Sequence, residues 1–161
     1  MIRSAAIEKM LWSIALPGFG QLLNGKYVKG LTMLALEFII NQKSHLNQII
    51  VASFQDDIPT AIRLTDYQWL MFYPCVYMFA IYDAYRDTFS ADIPPYSVFP
   101  FAFAAFFATI GVIYSPIFWI FGVLLGPVWL PMLCCFLGIL TGSILQFIFR
   151  KLTQGIHKQE T

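Results

Sequence analysis

The sequence predicts an all-α integral membrane protein, with a short N-terminal interfacial or re-entrant helix and about four transmembrane helices. Three observations carry this expectation. The 161-residue chain is 58% hydrophobic and only 12% charged, where soluble domains carry about 25% charged residues; a chain this short has too little interior to hide so much apolar surface. Residues 98–149 contain no Asp, Glu, Lys or Arg at all, a run too long for one span and sufficient for two. The lysines and arginines fall on alternate connections, as the positive-inside rule expects of a multi-pass protein.

Element by element, Met10 to Leu16 is apolar but far shorter than the roughly 20 residues a crossing needs, so it reads as interfacial or re-entrant. Glu8 and Lys9 interrupt it and no AxA-like site follows, so it is not expected to be a cleaved signal. Pro17 should end it, and PGFGQLLNGKYVKG follows, with Gly18 and Gly20 able to take conformations closed to other residues and Asn24-Gly25 as a turn signal. Tyr27 to about Asn41 is the first span. Residues 43–66 are mostly polar and read as an extracytoplasmic loop with some helix. Tyr67 to Tyr85 reads as the second span, with Tyr67 and Trp69 at one end and Tyr82 and Tyr85 at the other, as an aromatic belt would place them. RDTFSADIPPYS is a short connection. In the terminal apolar run, Gly126-Pro127 is the expected turn, Pro116 the expected kink in the third span, and Val128 to Phe149 the fourth span, followed by a short basic tail.

Orientation follows from charge. With both termini in the cytoplasm, Arg3, Lys9, Lys26, Lys29, Arg86, Arg150, Lys151 and Lys158 lie inside and only Lys43 and Arg63 outside. Lys9 and the Lys26/Lys29 pair share a side only if the first helix and its glycine turn dip in and return. Irregular backbone at membrane depth is tolerated only when packed against protein or water, so PGFGQLL should be covered by other helices or by a partner.

The hairpin PGFGQLLNGKYVKG, an apolar helix, a variable loop and an aromatic helix ending in IYDAYRD together resemble the TM2-domain-like small membrane proteins of bacteria. The resemblance covers roughly residues 5–90, on Pro17, Gly18, Gly20, Gln21, Asn24, Gly25, Lys29 and Gly30, plus Asp83, Ala84, Tyr85 and Arg86. It implies a TM2-like module over 1–90, a bacterial cell membrane location and no established catalytic site. Residues 91–161, a C-terminal transmembrane hairpin, and the long loop before the second span depart from a minimal module.

Glu37 is the main intramembrane ionisable residue and so a functional candidate. It lies on a partly polar stripe with Gly30, Leu34, Asn41 and Ser44. Two readings stay open for it: a proton, cation or partner site, or a group hydrogen-bonded to Gln21, Asn24 or a tyrosine that only fixes packing. Asp83 and Arg86, three apart, read as a surface ion pair or, alternatively, Asp83 anchors the PGFGQ turn through backbone N–H groups. Lys26 and Lys29 suit lipid phosphate. Gly138 and Gly142 form a GxxxG element, Gly122 and Gly126 repeat its spacing, and Ala104, Ala108, Gly111 and Ser115 make a facing small surface, a pattern that lets helices approach closely.

No HExxH, GxSxG or P-loop pattern is present, and the glycines of the hairpin lack phosphate-cradle spacing. His45 and His157 are isolated. Cys75, Cys134 and Cys135 lie in apolar runs with no CxxC pair and read as small buried hydrophobes. No catalytic, cofactor or metal residue is expected. The net charge of +1 argues against a broad electrostatic surface for nucleic acid. Three functions compete: a non-enzymatic membrane subunit or accessory protein that binds another membrane protein or itself; a small transporter or channel component using Glu37; and a lipid-acting membrane enzyme, which would need a paired acid and base.

Overall fold

A computed structural model describes residues 2–89 and 93–157. Lys158, the middle of the 86–97 connection and the side chains of Arg3 and His157 lie outside the described residues.

The described chain is mostly helical. Helix α1 (Ile2–Ala15) begins earlier than the apolar run alone suggests. Gly18, at φ 104°, starts the five-residue helix α2 (Phe19–Leu23), a backbone conformation that favours glycine. The chain then turns at Asn24-Gly25 into α3 (Tyr27–Ser44). Helix α1 packs along α7 (Tyr73–Thr88), and α2 is wedged between α3 and α7. The hairpin therefore enters and returns at one end of the bundle. Pro17, Gly18, Gly20 and Gln21 are all buried, so the segment expected to need cover has it from this chain's own helices.

Three expectations change. Residues 43–66, expected as a mostly polar loop with some helix, are largely helical and fold into α4 (Leu46–Phe54) and α5 (Ile58–Leu64). Ile49, Ala52 and Ala61 bury against Val128 of the last helix, because one face of LNQIIVASF is apolar at helical spacing. The 67–85 span is interrupted: α6 (Tyr67–Leu70) ends before a turn at Met71-Phe72, and α7 starts with Pro74 in its first turn. Proline brings no N–H and crowds the preceding turn's carbonyl, so it starts a helix more readily than it continues one.

The connection between the last two helices is the third correction. Helix α8 (Phe99–Tyr114) stops before Pro116, which terminates it rather than kinking it. A two-stranded antiparallel hairpin, β1 (Trp119–Ile120) and β2 (Val123–Leu124), follows. Gly126, at φ 71°, then opens α9 (Gly126–His157). Gly122-Gly126 is thus hairpin, not a helical GxxxG face. Within α9, the stretch Gly126–Gln154 is the one helix among the described residues that is long and apolar enough to cross a membrane, and its most apolar window is only 11% buried.

Helices α8 and α9 pack tightly along the small-residue face. A Cβ on Gly138 would lie 2.7 Å from the Ala104 Cα, one on Gly142 2.6 Å from the Pro100 Cα, and one on Gly111 2.7 Å from the Pro131 Cα. The Gly138/Gly142 face, expected from its small residues to let a helix approach closely, is filled by α8 of the same chain.

Candidate functional site: the glycine hairpin and its polar anchor

The residues singled out in the hairpin converge on the C-terminal half of α7. Gln21 is fully buried, and its Nε2 donates to the Ala80 carbonyl at 2.7 Å and to Asp83 Oδ2 at 3.3 Å. The Ala80 carbonyl, four residues ahead of Ala84, is part of the α7 backbone, so Gln21 clamps α2 onto that helix directly. Asn24 Nδ2 donates to the Ala84 carbonyl at 2.9 Å, while Asn24 Oδ1 accepts from Lys9 Nζ at 2.7 Å. One asparagine side chain therefore joins α1, the α2–α3 turn and α7.

Asp83 is the centre of the charged part. Its side chain is 3% exposed, and its Oδ1 takes Lys29 Nζ at 2.9 Å and Arg86 at 3.3 Å. Lys29 also reaches Asp87 at 3.2 Å. The sequence reading of Asp83 as half of a surface ion pair is corrected: Arg86 is on the surface, but Asp83 is buried and its shorter contact is to Lys29 on another helix. The alternative reading, an anchor through backbone N–H groups, is corrected as well. Asp83 anchors the turn through the side chains of Gln21 and Lys29 and not through backbone N–H groups, because those are already used locally, as in Leu22 N–H to Gly18 O and Asn24 N–H to Gly20 O. A buried carboxylate facing two half-exposed cations is compensated without either cation having to leave water entirely.

The glycines explain why the elements can come so close. A Cβ on Gly20 would overlap the Ser13 Oγ and sit 2.5 Å from the Lys9 carbonyl oxygen and 2.6 Å from the Ala84 Cβ, so Gly20 lies at the three-way contact of α1, α2 and α7. A Cβ on Gly18 would meet the Gly30 carbonyl oxygen at 2.5 Å, and one on Gly30 would meet Leu22 Cγ at 2.7 Å. Gly25, by contrast, has open space around it and needs glycine only for its φ of +72°.

Glu37 lies apart from this cluster. It does not reach Gln21 or Asn24. Its polar neighbour is the Tyr73 hydroxyl, and its Oε2 is buried without a hydrogen-bond partner. The stripe on which it was placed does face inward: Gly30 and Ser44 are buried and Leu34, Glu37 and Asn41 half-buried. The Tyr77 hydroxyl, one turn along from Tyr73, donates instead to the Ile14 carbonyl.

Sequence reasoning missed several members. Lys9 was read only as a topology signal, yet it closes the Asn24 bridge. Asp87 stands four residues after Asp83, a helical spacing that places both carboxylates on one face. Tyr73 and Tyr77 gave no distinct signal, since aromatic residues recur throughout that helix. Among the described residues no three His, Cys, Asp or Glu side chains gather as metal ligands, and Cys75, Cys134 and Cys135 are free thiols that are not buried as expected, Cys75 being exposed and the other two half-buried.

Basic residues gather near the end of α7. Lys9, Lys29 and Arg86 surround the end of α7, and Tyr85 there packs on Phe101 near the start of α8. Tyr96 joins Thr153 of α9 at 2.9 Å, beside Arg150 and Lys151. Arg63 belongs to α5, which packs at the opposite end against the start of α9. No family model, curated protein or solved structure matches the chain.

Proposed function

We propose that this chain is a non-enzymatic, multi-pass membrane protein of a bacterial cell membrane, an accessory subunit that binds another integral membrane protein. In this reading α3, α6 with α7, α8 and α9 supply four crossings, α1 and α2 form a re-entrant hairpin, and residues 1–90 are a TM2-like module. Both termini face the cytoplasm, on the side where Lys9, Lys29, Arg86, Arg150 and Lys151 gather.

One observation carries the reading. The polar groups of the glycine hairpin, Gln21, Asn24, Lys29 and Asp83, end on other parts of the same chain, while the outward surface is rich in large apolar side chains such as Val28, Phe38, Phe79, Phe106 and Phe136. Polar residues used this way fix a shape, and an apolar exterior gives that shape lipid and other helices as neighbours. Mild-detergent purification after cross-linking in the native membrane should retrieve a stoichiometric integral membrane partner; recovery of the chain alone under conditions that preserve known complexes would refute it. Single cysteines at Ser4, Ser90 and Gln159 should resist an impermeant thiol reagent in intact cells while one at Asp57 reacts; labelling at Ser90 would overturn the topology.

A second reading, a small proton or cation transporter, is favoured by Glu37, whose Oε2 is buried and unpartnered beside Tyr73. Flux in reconstituted vesicles that is lost in a folded Glu37→Gln variant would select it. Binding or packing roles instead tolerate Gln and suffer from Leu.

A further inference from the structure

We infer that the β1–β2 hairpin is a lipid-binding tip, which inserts its aromatic side chains among the acyl chains just beneath the headgroups of a neutral bilayer leaflet. This deepens the membrane reading above and rests on it.

The first observation is a residue that does not suit its own turn. Ile120 pairs with Val123, so Phe121 and Gly122 form a two-residue loop, and both have positive φ, 49° and 81°. Such loops favour Asn-Gly, because asparagine tolerates the left-handed region and glycine is indifferent to it. A bulky aromatic residue there is an outlier. Phe121 gains nothing inside the protein in return: it is 102% exposed. The conformational cost is offset only if the ring has an apolar environment outside the fold.

The second observation is its company. Ile117, Phe118, Trp119 and Val123 are all exposed around it, and residues 98–149 carry no charge. Leu133, Phe136 and Leu137, at helical spacing on one face of α9, are exposed as well. With no lysine or arginine in residues 98–149, the hairpin itself offers no basic cluster of the kind that recruits anionic headgroups, which points to neutral lipid.

The third observation is length. Helix α8 has 16 residues, roughly 24 Å at 1.5 Å per residue, short of the roughly 30 Å hydrocarbon core. With the charged start of the connection at the cytoplasmic boundary, the helix ends inside the far leaflet and the hairpin supplies the remaining depth. Its two residue pairs satisfy part of the backbone by the ladder, and the unpaired remainder needs water, which limits the tip to the interfacial layer.

The test uses the full chain with Cys75, Cys134 and Cys135 replaced by Ala, reconstituted in phosphatidylcholine vesicles, with an environment-sensitive fluorophore on Val123→Cys or, separately, on Phe136→Cys in α9. The Val123 probe should emit blue-shifted light and lose emission to lipids brominated near the ester end of the acyl chain, more than to those brominated near the terminal methyl. Adding Phe121→Asn should shift the probe towards the red and weaken that quenching, with thermal stability equal to or above the parent because Asn-Gly suits the turn. A Val123 probe quenched by aqueous iodide, or shielded from iodide yet untouched by every brominated lipid, as a second copy or another protein covering the tip would make it, overturns the inference. If the Phe136 probe is quenched by brominated lipid in that case, the membrane reading stands and only the tip fails; if neither probe is quenched, both fail.

Discussion

Replacing Gly20 by alanine adds one methyl group where α1, α2 and α7 meet. The new Cβ would overlap Ser13 Oγ and stand 2.5 Å from the Lys9 carbonyl oxygen and 2.6 Å from Ala84 Cβ. Ordinary contact requires these neighbours to retreat by about 1 Å, and a packed interior resists such a shift. Two of them are backbone or a short side chain on helices held by Gln21 and Asn24, so no flexible end can swing away. Overpacking of this kind costs about 1–3 kcal/mol, and the three-sided contact places Gly20→Ala at the upper end. Gly25→Ala is the control: its site is open, leaving only the backbone cost of a positive φ, about 1 kcal/mol. Both variants would be unfolded in mixed micelles of mild detergent and SDS, followed by far-UV circular dichroism, with Ser13→Gly added to Gly20→Ala as a rescue. Gly20→Ala should lose more stability than Gly25→Ala and regain part of it with Ser13→Gly. Equal stability of the two alanine variants, or no rescue, would refute the close packing of the hairpin.

Other consequences follow from the same geometry. Asp83→Ala removes the acceptor of Lys29 and Arg86 but leaves Gln21 its Ala80 bond and Lys29 its Asp87 contact, so the loss in the same unfolding assay should be about 1–3 kcal/mol; Arg86→Ala, which leaves Lys29 in place, should cost clearly less. Gly138→Ile and Gly142→Ile should each separate α8 from α9, read as a lower melting temperature in detergent, and native stability in both would mean the two helices do not pack through this face. Asp57 caps α5, its Oδ1 accepting from the Thr60 N–H at 3.1 Å, and the Thr60 hydroxyl and N–H beside it hold its carboxyl below the usual carboxylate range. A depressed folded pKa stabilises above the unfolded value and is lost as pH falls through the folded one, so acid should loosen α5 in hydrogen exchange, and Asp57→Asn should keep the cap while removing that dependence.

The helical class was legible because apolar runs of helical length and a charge-free run over 98–149 are properties of the linear chain. So was the covered glycine turn: Pro17 and Gly18 break a helix locally, and a broken backbone among apolar segments needs neighbours. The interruption at Met71-Phe72 was legible in principle, from Pro74, but the aromatic pattern across 67–85 looked continuous. Within 43–66 some helix was legible but not its extent, because a short helix with one apolar face reads as polar until the partner that covers that face, here Val128 on α9, is known.

The amino-acid sequence by itself determined where this backbone can be helical, where glycine and proline bend it, and which end collects the positive charge, since each depends on residues close in the chain. Only the tertiary structure decided what those features meet. Asp83 became a buried anchor through Lys29, 54 residues away, and Gln21 a clamp through Ala80, 59 residues away. Gly138 and Gly142 became an internal seam because α8 folds back on them. Whether a polar or small residue is surface, seam or anchor depends on burial and on partners distant in sequence, and local pattern carries no record of either.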